Sequence, residues 1–388
     1  MGCSGSKLQK KYAAERNNPM GTGLASNDNR RNSNDTESDG YVEHTFDKRW
    51  DYVKDPENRG QPKELGSGGF STVYLVRNRK TSKLAAVKVM KKSDMDDEDK
   101  QSVLDEVNIM RKLQHPNIVQ FIDFFDEELN MYAVIEYLEG GTMFDRVVKK
   151  ESYNEKDARD LVYIFLSSLK YCHSKDIVHR DIKPENILMA SNDDDADVKI
   201  ADFGLSIHLP NGELCYRGCG TPNYLAPEML KNIGYSKPVD MWAVGCIAFI
   251  LLGGYAPFDC DGEDPASLKK LYSTIKKGDV VFEKEYFGHV SIEAKHLITS
   301  LLNVDPSERL TVDDALKHPW IMRAGNELAG RNLQKSLKIF IAFRAKRKFK
   351  GVVKGIIATN KFKNIIKSIG AAAKIEKAKQ EQEQQNQR

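Results

Sequence analysis

The sequence predicts an α+β fold over a core of residues 61–321, carried between unequal tails. Three observations lead there. Apolar, β-prone segments (Ala85–Val89, Met131–Ile135) gather early in that core around a glycine-rich run, Leu65-Gly66-Ser67-Gly68-Gly69-Phe70-Ser71-Thr72-Val73. Later stretches such as Val239-Asp-Met-Trp-Ala-Val-Gly245 read as buried helix. Between them stand three polar runs that no simple packing need explains: HRDIKPEN at His179–Asn186, DFG at Asp202–Gly204 and APE at Ala226–Glu228.

Each element has a physical reason. Glycines at 66 and 68 let a backbone approach phosphate oxygens closely. Ala85-Ala-Val-Lys88-Val is a buried strand with one lysine, which is costly unless an anion pairs with it. Met131–Ile135 is a second apolar strand, followed by Glu136-Tyr137-Leu138. Asp181, Asn186 and Asp202 supply the carboxylates and amide that a phosphoryl-transfer site needs to orient a hydroxyl and hold Mg²⁺.

Length and charge bound the rest. The chain has 388 residues and a net charge of +3, which hides a polarity. Residues 328–375 hold thirteen Lys/Arg and no Asp/Glu, residues 1–60 balance at ten against ten, and residues 61–327 carry about −10. A basic tail on an acidic body folds back onto it or finds another acidic partner. The six cysteines show no C-x-x-C pair and no zinc spacing, as expected of reduced cytosolic thiols. No secretory signal is evident, nor an apolar run of about 18 residues.

The amino-terminal Met1-Gly2-Cys3-Ser4-Gly5-Ser6 fits M-G-x-x-x-[ST], the acceptor pattern for myristate on Gly2. One such chain binds membranes only marginally, and Cys3 (suited to palmitate) with Lys7, Lys10, Lys11 and Arg16 offers a second signal. The expectation is a cytoplasmic protein, membrane-associated through this lipidation. Residues 1–60 read as an acylated, largely disordered arm, since 17–45 are poor in apolar residues. The run Asp35–Gly40 is no calcium loop, because Phe46 stands where the bidentate glutamate belongs.

These motifs together resemble the catalytic core of the eukaryotic protein kinases over residues 61–321. The resemblance implies a bilobal fold: a small β-rich N-lobe (61–138), a larger helical C-lobe (139–321), and ATP with Mg²⁺ in the cleft. Residue by residue, it implies that Lys88 contacts the nucleotide phosphates and pairs with Glu106. Asp181 is the catalytic base, and Lys183 steadies the transferring phosphoryl group. Asn186 and Asp202 hold Mg²⁺. Gly66 and Gly68 cover the phosphates, the backbone of Glu136 and Leu138 meets the adenine edge, and Leu65, Val73, Ala86 and Leu188 sandwich the ring. Thr221 braces Asp181 and Lys183. Ile135 is the gatekeeper, Glu228 pairs with Arg309, and Asp240 anchors the catalytic loop. DIKPEN with Gly220-Thr221-Pro222 implies transfer to serine or threonine of protein substrates.

Two departures carry information. The position four before Thr221, where related kinases have a phosphorylated threonine, is Arg217. Threonine phosphorylation there is therefore not the expected switch. Thr142 replaces a glutamate that helps bind a basic substrate residue, which weakens that preference and leaves Glu185 as one acidic contact.

The tail resembles that of the type I calcium/calmodulin-dependent kinases. Leu333, Leu337, Phe340 and Ile341 recur at helical spacing. Phe349, Val353, Ile356 and Phe362 then stand at relative positions 1, 5, 8 and 14, a spacing suited to the two lobes of calmodulin. Residues 322–370 are thus expected to be autoinhibitory and calmodulin-binding, and 371–388 disordered. A tail binding anionic lipid or another calcium sensor on a membrane-tethered kinase is the alternative. A catalytically dead scaffold is disfavoured by the presence of Lys88, Asp181, Asn186 and Asp202. Nothing suggests a nucleic-acid partner, and the sequence leaves oligomeric state open.

Overall fold

The structure, a computed structural model, describes residues 45–67, 71–150, 152–192, 197–260, 262, 264–343 and 345. These fall into two compact units. One takes the described residues up to Gly141 together with Leu188–Gly204, and the other takes Thr142–Ile187 and the described residues from Leu205 onward. The fold is α+β, as the sequence predicts, with a β-rich first unit and a larger helical second one.

In the first unit six antiparallel strands form one sheet: β1 (Trp50–Tyr52), β2 (Glu64–Ser67), β3 (Ser71–Asn78), β4 (Leu84–Lys91), β5 (Phe121–Asp126) and β6 (Asn130–Glu136). Their order is β1-β3-β4-β6-β5, with β2 also on β3. Register decides which side chains share a face, because strand side chains alternate. Val73 faces Lys88, Lys88 faces Ala133, and Ala86 faces Ile135. All five therefore line one face. The opposite face presents Val76, Ala85, Val87 and Val134, buried under Phe46, Trp50 and Phe125.

This packing moves one boundary. Residues before 61 were expected to be largely disordered, yet the described part, from residue 45, builds structure. Phe46–Arg49 is a helical turn, β1 pairs with β3, and the Phe46 ring stacks on Tyr132 with centroids 4.4 Å apart. Three aromatic residues in seven positions, Phe46, Trp50 and Tyr52, outweigh the polar context. The position that disqualified a calcium loop is thus a core position.

The helix Asp97–Arg111 starts at a reciprocal capping box between Asp96 and Asp99, and its acidic first turn complements the helix dipole. In the second unit, Glu155–Ser174 opens with the same device from Asn154 and Asp157. Pro238–Gly253 is buried from Val239 onward, as its unbroken apolar sequence requires. Buried Arg309 grips Glu228 through two bonds, 2.6 and 2.9 Å, and its guanidinium lies over Trp242.

The second unit also runs past the boundary expected at 321. Residues 334–343 are helical. Leu333, Leu337 and Phe340 are buried while Ile341 is exposed. Phe340 meets Phe144 edge to face at 4.6 Å, and Leu333 N–H donates to the Tyr153 carbonyl. Gly254 permits the docking: its φ is +87°, and a Cβ there would lie 2.3 Å from the Ser336 carbonyl oxygen. Among the described residues no helix is long and apolar enough to cross a membrane.

Candidate active site

The first unit brings Lys88, Glu106 and the DFG run together. Lys88 leaves β4 toward the helix Asp97–Arg111, and its Nζ lies 2.9 and 3.1 Å from the two carboxylate oxygens of Glu106. Burial alone would lower the Lys88 pKa. The Glu106 carboxylate, and then Asp202, more than reverse this and hold it above its ordinary value. Lys88 is thus a fixed cation rather than a proton donor. Asp202 takes a left-handed backbone, φ +61°, and its Oδ1 lies 3.4 Å from the Gly204 N–H. A non-glycine residue in that region stores strain typical of functional turns.

Two of the residues expected at the nucleotide lie on the Lys88 face of the sheet, and the other described ones lie elsewhere in the first unit. Val73 and Ala86 share that face with Lys88, and Gly66 pairs with Val73 across β2 and β3. Leu65 is exposed on β2. Glu136 ends β6, where its carboxylate accepts from the Gln120 N–H at 2.6 Å and from Lys199 at 2.9 Å. Its side chain is thereby tied back. Leu138 follows outside any helix or strand, and Leu188 lies on the short strand Ile187–Met189. Gly68 lies outside the described residues.

The second unit assembles the other set. Asp181 Oδ1 accepts from the Thr221 hydroxyl at 2.8 Å and the Thr221 N–H at 3.1 Å. Asp181 Oδ2 accepts from Lys183 at 2.5 Å and from the Asn186 amide at 3.2 Å. Lys183 also reaches the Thr221 hydroxyl, 3.2 Å away. These donors fix both carboxylate oxygens in orientation, which a base that must align a hydroxyl requires. Asn186 spends its nitrogen on the carbonyl and carboxylate of Asp181, which leaves its oxygen pointing elsewhere. Oxygen is the donor that Mg²⁺ takes.

Beneath this loop sits Asp240. Its oxygens accept from the N–H groups of His179 and Arg180 and from His173, each at 2.9 Å. Burial would raise the Asp240 pKa, but the His173 bond and the neighbouring imidazoles hold it below the usual carboxylate range. Arg180 occupies the left-handed region, φ +66°, which turns the loop so that Asp181 follows.

Sequence reading missed His173, whose pairing with Asp240 spans 67 positions, and the partners of Arg180. It found Thr221, Asp240 and the Glu228–Arg309 pair. Thr142, read through the glutamate it replaces, acts locally. Its hydroxyl accepts from the Asp145 N–H at 3.1 Å and caps the helix Met143–Val148. Gly2, Cys3, Phe349, Val353, Ile356 and Phe362 lie outside the described residues.

Comparison with known proteins gives these sets their class. The protein kinase domain family matches residues 60–321, and the chain belongs to that family. Myosin light chain kinase A of Dictyostelium discoideum is 43% identical over 258 residues, 66% of this chain and 86% of that protein. Calcium/calmodulin-dependent protein kinase type II of Caenorhabditis briggsae is 40% identical over 304 residues, 78% of this chain and 56% of its own. The type IV enzyme of Mus musculus is 40% identical over 298 residues, 76% of this chain and 61% of its own. Within the family, the chain is a protein serine/threonine kinase of the calmodulin-dependent kinase and myosin light chain kinase type.

Such kinases use ATP with Mg²⁺. Each unit offers groups of the chemistry that pair takes: the first holds the Asp202 carboxylate and Lys88, kept cationic, and the second holds the amide oxygen of Asn186. Bound Mg²⁺ supplies charge neutralisation at the phosphates. In the roles that the family resemblance implies, Asp181, with both carboxylate oxygens fixed, would orient an acceptor hydroxyl and take its proton, and Lys183, 2.5 Å from it, would stabilise negative charge at the transferring group.

Proposed function

We propose that this serine/threonine kinase is held inactive by its own basic C-terminal segment and released by calcium-loaded calmodulin. The observation that carries the proposal is the run after the docked helix. Leu333, Leu337 and Phe340 seat residues 334–343 in the second unit, and the chain then continues into an acid-free basic stretch. Phe349, Val353, Ile356 and Phe362 follow there at the spacing of an amphipathic calmodulin target. The body carrying this segment is acidic, so the tail has a binding partner in cis. Several relatives are themselves named calcium/calmodulin-dependent kinases. Calmodulin, acidic at its rims and rich in methionine within its grooves, binds the segment better than the body does and shifts the population toward the open state. The test is phosphorylation of a serine/threonine peptide by the full chain, with and without calcium and calmodulin, beside Phe349→Asp. Activation of the native chain and its loss in the variant support the proposal. A native chain indifferent to calcium-loaded calmodulin sinks it.

The amino-terminal Gly2 and Cys3 support a second part of the reading, acylation that brings the kinase to a membrane surface. Mass spectrometry of the N-terminal peptide decides it: a myristoyl group on Gly2 is expected, and a free or acetylated glycine removes the anchor.

A further inference from the structure

Cys215 and Cys219, between the DFG and APE runs, meet two side chains from outside that segment in the second unit, Arg180 and Tyr235, and phosphoryl transfer uses none of the four. Arg180 Nη1 lies 3.3 Å from Cys215 Sγ and donates to the Tyr235 hydroxyl at 3.1 Å, while its Nε donates to the Leu205 carbonyl. The Tyr235 hydroxyl donates to the Arg217 carbonyl and stands 3.8 Å from Cys219 Sγ. Cys215 and Tyr235 also exchange two backbone hydrogen bonds, each 2.9 Å. One sulfur thus lies against the guanidinium, and the other lies beside the tyrosine hydroxyl that the same guanidinium binds.

A neighbouring cation favours thiolate, the form in which cysteine reacts. Burial pushes the Cys215 thiol up, but the bond with Tyr235, a backbone bond at Arg217 and the charge of Arg180 together bring it below its ordinary value. Cys172 and Cys246 contrast with it: burial drives both well up and leaves them inert. Cys215 itself is covered, yet its neighbours Leu214 and Tyr216 are exposed, so a small opening of the segment admits an oxidant of water's size. Cys219 is partly exposed and sits between Gly218 and Gly220. Gly220 already has φ +107° there. A cysteine flanked by glycines turns easily toward a partner.

We propose that Cys215 and Cys219 form a reversible disulfide under hydrogen peroxide and that this bond switches the kinase off. In the first step the Cys215 thiolate attacks a peroxide oxygen. The O–O bond breaks, hydroxide leaves, and Cys215 becomes a sulfenic acid. In the second, the Cys219 sulfur attacks the Cys215 sulfur. The S–OH bond breaks, the hydroxyl leaves as water with the Cys219 proton, and the S–S bond forms. Two thiols are oxidised and one peroxide is reduced to two waters. The disulfide carries no charge, so Arg180 loses its sulfur partner. Cys219 lies two residues before Thr221, whose hydroxyl and N–H are the donors on Asp181 Oδ1. Drawing Cys219 toward Cys215 pulls Thr221 off the catalytic carboxylate.

The test treats the full chain with graded hydrogen peroxide, removes the excess, and measures activity before and after a dithiol reductant. Peptide mapping without reduction runs in parallel. Expected are a two-hydrogen loss joining the Cys215 and Cys219 peptides, loss of most activity in step with it, and recovery on reduction. Cys215→Ser, compared with its own untreated rate, keeps its activity after peroxide. In Cys219→Ser the oxidation stops at a sulfenic acid on Cys215, which dimedone traps. Inactivation of the native chain without that peptide link overturns the proposal, as does a Cys219→Ser protein that still closes and reopens like the native one.

Discussion

Asp181 shows how little freedom a catalytic side chain keeps. Each oxygen is held by two donors, and the backbone before it is pinned by Asp240 from a buried helix. Asp181→Asn keeps the shape and removes the proton acceptor, so kcat should fall by about 10²–10⁴-fold with KM for ATP little changed, read in a steady-state peptide assay. His115 makes a prediction of another kind. Burial, then the charge of Lys199, lower its pKa to about 4 from 6.5, and its Nδ1 accepts from the Asn117 N–H at 3.1 Å. An unfolded chain takes up this proton near pH 6.5, whereas the folded chain waits until about pH 4. The unfolded state therefore binds more protons in that window. The contribution of His115 is complete above pH 6.5 and declines as pH falls toward 4. Urea unfolding at several pH values should show a smaller decline across this window in His115→Gln than in the native protein.

At the scale of elements, the segment from Phe46 to Tyr52 is the informative case. It lies before the matched family region, which begins at residue 60, yet it covers one face of the sheet. Phe46 touches Tyr52, Phe125 and Tyr132 and is 1% exposed. Phe46→Ala should remove about 3–5 kcal/mol of stability, measured by denaturant unfolding, while Lys88 and Glu106 on the opposite face keep their pairing. An unchanged unfolding midpoint would show that the segment merely rests on the sheet. The Arg309–Glu228 pair in the second unit is the converse, an element contact readable in advance, because its two motifs recur in the family resemblance.

For the whole molecule, the question is where the catalytic body ends and its regulator begins. Burial of Leu333, Leu337 and Phe340 puts residues up to 343 in the second unit. A chain ending after residue 343 should fold with an unchanged thermal midpoint and work without calmodulin. One ending after residue 325 strips three buried anchors, each worth about 2–5 kcal/mol, and should unfold at markedly lower temperature. Equal midpoints for the two would remove the docked helix from the body, and continued calcium dependence in the longer one would remove the tail from regulation. The two cuts separate loss of inhibition from loss of fold, which a single cut near the end of the kinase motifs would confound.

The sequence by itself determined the chemistry. Lys88, Glu106, Asp181, Lys183, Asn186 and Asp202 were all picked out through the resemblance to the protein kinases, whose motifs keep residue type and local spacing together. Strands β4 and β6 were legible because short, nearly unbroken apolar runs admit few readings. Only the tertiary structure decided what depends on distant partners: His173 under the catalytic loop, Phe46 behind the sheet, the helix at 334–343 against Gly254, and the meeting of Arg180 with Cys215 and Tyr235. Those contacts are set by packing between segments far apart in the chain, and no local pattern of residues encodes the separation that packing will close.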